Sequence, residues 1–281
     1  MPIQPLIPSQ GLAGWKFLQN TLDKQVETFN KSPDIQLDID YFNENAGEVE
    51  TLDDLMSDRR LLKVALGAFG LGEEINKGAF VRKILEEGTA DRSSFANRLA
   101  NTDYLALAEN FAVDTEGKLS ISDNLKSQVS DSYQERRFES EVGNVDNSLR
   151  VALNFKREIE TYAGQGQSER GGWFRVLGSV PMRTIIEGAF NLPSEFAALD
   201  VDKQVDILTD KAQQRFGEKS IDVFTDPEKV EDVINQYLLR EQINNGPSGF
   251  TSGSTALALL GGGGNAGLGS SGLFNLLLSN A

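Results

Sequence analysis

Two glycine-rich runs and three acidic pairs are the places where this chain's residue types and spacing could do chemistry. The runs, GAFGLG at 67–72 and GQGQSERGG at 164–172, invite a phosphate-cradling loop. A dinucleotide loop needs its glycines in a fixed order between a strand and a helix, and a Walker loop needs a lysine followed by serine or threonine. The first run follows a helical pattern and the second lacks the spacing, so both read as turns or caps. The pairs Asp38/Asp40, Asp53/Asp54 and Asp200/Asp202 offer oxygen ligands for Mg²⁺ or Ca²⁺, but no calcium loop with a central glycine and a terminal glutamate surrounds them. Carboxylates favour helix N-termini, which accounts for the pairs. No catalytic residue, cofactor site or metal site is assigned.

Composition narrows the chemistry further. The chain has 281 residues, no cysteine and no histidine, which removes thiol nucleophiles, thiolate metal sites, the commonest general base and the commonest transition-metal ligand. A net charge of -15 argues against nucleic acid and anionic lipid as non-specific partners, because phosphates are repelled over most of the surface. The opening MPIQPLIPSQ has neither a basic segment nor an uninterrupted apolar one, and no stretch approaches the length of a membrane span. With 39% hydrophobic residues the chain can bury a core of one or two domains.

The elements read as helices. Residues 11–30 place Trp15, Leu18, Leu22, Val26 and Phe29 on one stripe, and Ser32–Pro33 opens a second amphipathic segment. Thr51 with Asp54 forms a capping-box pattern. The central run 58–111 holds a helix ended by Gly70 and Gly72, a second from Gly78 to a cap at Gly88, and two short ones capped by Thr89, Asp91, Thr102 and Asp103. Helices this short are marginal alone and must be held by packing. Residues 112–122 suggest a short hairpin around Gly117. Residues 122–139 and 145–162 read as the longest helices, separated at Gly143 and Asn144, and Asp200–Phe216 and the Asp226–Pro227 start supply two more. Gly67, Ala68, Phe69 and Leu71 recur as Gly188, Ala189, Phe190 and Leu192, either as an internal repeat or as two helix ends sharing one packing solution.

The expected fold is therefore all-α: a compact multi-helix body with a flexible Gly/Ser-rich C-terminal tail. Its parts are N-terminal amphipathic helices over 1–50, a helical core over 51–245 with a break near 163–172, and a tail over 246–281 carrying apolar segments. Two groups are candidates for partner binding. Arg59, Arg60 and Lys63 belong to the cluster of basic residues in the central run; they are either read by a protein partner or paired with carboxylates such as Glu86 and Glu87. Leu273, Phe274, Leu276, Leu277 and Leu278 form an apolar island that docks on this chain, on another copy by self-association, or on a partner.

The phrases DRRLLKVALGAFGL, FVRKILEEGT, SFANRLAN followed by Tyr104, LRVALNFKRE, LDVDKQVDIL and the DPEKV helix start resemble, in that order over about residues 40–240, an alphaproteobacterial domain of unknown function, DUF1217, commonly encoded in flagellar gene clusters. The resemblance implies membership of the flagellar system and no catalytic residue. It leads to the expectation of a non-enzymatic flagellum-associated protein that acts through protein–protein contacts in assembly or structure. The alternative is a cytoplasmic chaperone or regulator of flagellar export or motility. Its expected location is the bacterial flagellum or the cytoplasm, without a cleaved signal peptide, and its expected partners are flagellar components.

Overall fold

Amphipathic stripes of three to five apolar residues leave each helix of this chain unable to bury its face alone, and the fold is the arrangement in which they cover one another. The structure, a computed structural model, describes residues 3–114, 116–166 and 168–245. Among them are 13 α-helices and no strand; an isolated antiparallel bridge joins Thr51 and Lys118. The helices are α1 (Gly11–Asn30), α2 (Pro33–Asn45), α3 (Leu52–Ser57), α4 (Arg59–Ala68), α5 (Gly78–Glu87), α6 (Phe95–Leu99), α7 (Thr102–Asn110), α8 (Asp123–Val145), α9 (Asn147–Tyr162), α10 (Glu169–Gly178), α11 (Val180–Ala189), α12 (Val201–Phe216) and α13 (Pro227–Asn245). The chain divides into a unit Met1–Glu241, described here, and a second, Gln242–Ala281, whose described part is the end of α13. The expected tail, with its apolar island, lies outside the described residues.

Local chemistry sets most boundaries. Thr51 and Asp54 make the reciprocal capping box that starts α3, and Asp58 accepts from the backbone N–H groups of Arg60 and Leu61 to start α4. Elsewhere the details differ from the sequence reading. Ser32 sits at the start of α2 without bonding its backbone, and its buried Oγ has no partner. Asn101 is the cap of α7, accepting from Asp103 and Tyr104, so Thr102 and Asp103 lie inside the first turn. Gly143 does not break α8; the helix runs on to Val145, and the break falls at Asp146, which caps α9. The Arg150 side chain lies against Gly143, 2.6 Å from where a Cβ would stand. At 16 residues α9 is shorter than α1 and α13. Among the described residues of 112–122 no strand forms in place of the expected hairpin; the N–H of Asp114 donates to Lys118 O (2.8 Å), and Leu119 donates to Glu50 O (2.8 Å).

The first and second halves repeat one plan. α4 packs on α2 and α3, and α3 on α5; α11 packs on α9 and α10, and α10 on α12. Both α4 and α11 end in the same motif. Gly70 (φ 75°) and Asn191 (φ 52°) take the left-handed conformation, and the N–H groups of Leu71 and Leu192 reach back to Leu66 O (2.8 Å) and Glu187 O (2.9 Å). One turn earlier, a Cβ on Gly67 would stand 2.7 Å from the Tyr133 ring, and one on Gly188 would stand 2.7 Å from the Tyr237 ring. Each glycine thus lets an aromatic ring of α8 or α13 lie directly on a helix backbone. The repeat extends well beyond the short sequence echo, with α6 and α7 present in the first half alone.

One apolar cluster runs from Trp15 to Leu238. α1 closes it: the Trp15 indole N–H donates to Glu231 Oε1 and Gln19 Nε2 to Glu231 Oε2, both at 2.8 Å. In the second half Phe224 gathers Phe155, Trp173 and Phe216 in edge-on contacts, with centroids 5.7 to 6.2 Å apart. A satellite cluster under α5–α7 centres on Ile84, Ala96 and Ala108.

Candidate interaction surfaces

Arg59, Arg60 and Lys63 lie on the exposed side of α4, and each is held by neighbouring elements. Lys63 Nζ stands 2.5 Å from Asp38 Oδ2 on α2, a carboxylate that also accepts from the Tyr133 hydroxyl at 2.7 Å. Arg60 donates to Leu37 O at 2.9 Å and stacks 3.9 Å over the Tyr41 ring. Arg59 donates to Asn76 Oδ1 at 2.9 Å. Their partners come from α2 and the turn after α4, whereas Glu86 and Glu87 pair with Arg82 and Lys83 one turn away on α5. These three residues therefore tie α4 to its surroundings as well as facing solvent. Tyr41 donates in turn to Asp58 Oδ2 at 2.6 Å, a bond that raises the pKa of the phenol. Leu273, Phe274, Leu276, Leu277 and Leu278 fall outside the described residues.

The densest charge cluster is one the sequence did not signal. Arg157 on α9 grips Glu139 on α8 through Nε (2.8 Å) and Nη2 (3.1 Å), and touches Glu158 at 2.5 Å. Arg136 on α8 continues the chain to Glu158 (3.0 Å) and to Asp103 on α7 (3.6 Å). Burial opposes the charge on Arg157, but the two carboxylates outweigh it and raise its pKa. Asp103 moves the other way for a carboxylate: burial, reinforced by Glu158 and Glu139, holds its pKa above the usual range despite Arg136. Burial likewise pushes Tyr162 up to about 12, which makes it a poor nucleophile at neutral pH. The alternation of signs joins three helices and offers no pairing of nucleophile and base. No group of three or more metal-ligating carboxylates occurs among the described residues, and no described helix is long and apolar enough to cross a membrane.

Two open grooves flank α1. The larger, about 560 Å³, lies between α1, α8 and α9. Leu22, Val26, Phe138 and Leu153 contribute its apolar lining, and charged residues from all three helices surround them. The smaller, about 350 Å³, is lined by Pro5, Leu6, Phe17, Phe29 and the opposite side of Phe138. There the N-terminal segment exchanges two hydrogen bonds with α1, from Leu6 N to Gln25 Oε1 (2.8 Å) and from Gln25 Nε2 to Leu6 O (3.1 Å). Sequence periodicity put Leu22 and Val26 on the inward stripe of α1. The structure leaves both only partly covered, because the stripe is wider than the contact α8 and α9 make with it.

A family model described as protein of unknown function (DUF1217) matches residues 68–230. The fold is similar to the crystal structure of protein AGR_C_984 from Agrobacterium tumefaciens, at 28% identity and a TM-score of 0.66, covering 86% of this chain and 100% of that one. No curated protein matches the chain.

Proposed function

That the chain belongs to the DUF1217 family is the premise from which we propose a non-enzymatic, flagellum-associated protein that acts through protein–protein contacts in flagellar assembly or structure. The observation that carries the contact-making part is the use of polar groups in the described body. Several of its cations, Arg157, Arg136 and Lys63 among them, are spent on neighbouring helices, while apolar side chains remain partly uncovered in open grooves beside α1. A surface of this kind recognises another polypeptide by shape and burial. The flagellar part rests on the sequence resemblance to a domain encoded among flagellar genes. Tagging the protein in its native cell and fractionating tests the reading. Recovery with purified flagella, or co-purification with flagellar components during assembly, is the expected outcome. Recovery from cytosol alone with an export substrate bound would replace it with a chaperone role, and turnover of a nucleotide by the pure protein would end the non-enzymatic reading.

A further inference from the structure

We infer that the groove between α1, α8 and α9 is a docking site for an amphipathic helix of a partner protein, one with an apolar stripe flanked by lysine or arginine. The inference deepens the contact-making role proposed above and rests on it. Leu22 and Val26 stand one turn apart on α1, both partly uncovered, and the buried Phe138 of α8 and Leu153 of α9 complete the apolar lining. An open cleft between three helices with apolar side chains in its lining, whose polar Glu139 and Arg157 are paired with each other, suits the side chains of a helix better than a polar metabolite.

The charges around the groove select the sign of the partner. Glu139 is taken up by Arg157, and Glu27 by Lys31 at 2.5 Å. What remains at the rim is Asp23 on α1, Glu135 on α8 and Glu160 on α9, against Lys156. Asp23 and Glu135 leave an acidic excess on α1 and α8, while Glu160 and Lys156 balance on α9, so a helix with basic flanks gains and an acidic one is repelled. A second copy of this chain, itself carrying -15, is disfavoured for the same reason. Burial raises the pKa of Glu135, with Arg157 and Arg136 opposing it and Glu139 and Asp131 adding to it.

The test is binding of the full-length protein to labelled synthetic helices about 16 residues long. The first has leucines at i, i+3, i+4 and i+7 with lysine flanks. The others carry glutamate flanks, serines in place of the leucines, or the uncharged segment 270–281 of this chain. The lysine-flanked helix is expected to bind and the other three to fail. Glu135→Lys with Glu160→Lys should weaken it about tenfold or more. Glu195→Lys with Glu218→Lys, which changes total charge equally outside the groove, should have a far smaller effect. Circular dichroism melts check that each variant folds, and Asp23→Lys on the opposite wall provides the same reading should the first double variant be unstable. Equal weakening by both double variants, binding independent of the leucines or of flank sign, preferential capture of 270–281, or no binding by any helix would overturn the proposal. The readout is independent of cell location, so its failure leaves the fractionation result standing.

Discussion

At the scale of single residues, two glycines and two aspartates carry most of the argument. Replacing glycine by alanine inside a helix ordinarily stabilises it by up to about 1 kcal/mol. At Gly67 and Gly188 the added methyl would meet the rings of Tyr133 and Tyr237, and the Tyr133 ring is pinned by its bond to Asp38. Gly67→Ala and Gly188→Ala should therefore each destabilise by about 1–3 kcal/mol, read as urea midpoints, and a gain at either site would show that the ring yields. Asp103 and Asp58 make opposite pH predictions. The pKa of Asp103 is raised in the fold, so its charged form costs stability at neutral pH, and that cost fades as pH falls through the raised value. Asp103→Asn should be more stable than the parent at pH 7, with the gain disappearing in mild acid. The sequence placed Asp103 at a helix start but could not show that it faces Arg136, since the two are 33 residues apart and meet only in the fold.

At the scale of elements, capping and burial decide where each helix begins and what it leans on. Asp58 starts α4 and accepts the Tyr41 hydroxyl from α2. Burial opposes its charge, but those hydrogen bonds prevail and lower its pKa. Its contribution is present above the unfolded carboxylate value and is lost as pH falls through the lower folded one. Asp58→Ala should cost about 1–2 kcal/mol near neutral pH, measured by denaturant unfolding, and little in strong acid. Capping signals of this kind are legible where they are local: Thr51 with Asp54, and Asp226 before Pro227, act within a few residues. Where the signal was ambiguous, neighbours in space decided. Gly143 reads as a breaker, yet α8 runs through it with the Arg150 side chain alongside, and Asn101, not Thr102 or Asp103, accepts from both free N–H groups at the start of α7.

At the scale of the whole body, one continuous apolar cluster joins the two halves. Trp15 in α1 and Trp173 in α10 are the two tryptophans, both fully buried. In Trp15→Phe and Trp173→Phe, each retaining one reporter, the fluorescence midpoint should coincide with that of helix loss by circular dichroism. Separate midpoints would mean that the halves unfold independently. The repeated plan does not contradict a single transition, because α8 serves both halves: its Tyr133 lies on Gly67 of α4, and the same helix packs along α9.

The sequence by itself determined the helical class, most helix spans, some of the capping residues and the absence of cysteine and histidine chemistry, because each follows from composition or from interactions a few residues apart. Tertiary structure alone decided which charges meet and which apolar residues stay open. Arg59, Arg60 and Lys63 were open either to a partner or to internal carboxylates until α2, with Leu37, Tyr41 and Asp38, and Asn76 came alongside, and Leu22 and Val26 looked buried until α8 and α9 proved too narrow to cover them. Long-range pairing depends on the crossing of helices far apart in the chain, and a helical period shows which face turns inward without showing what meets it there.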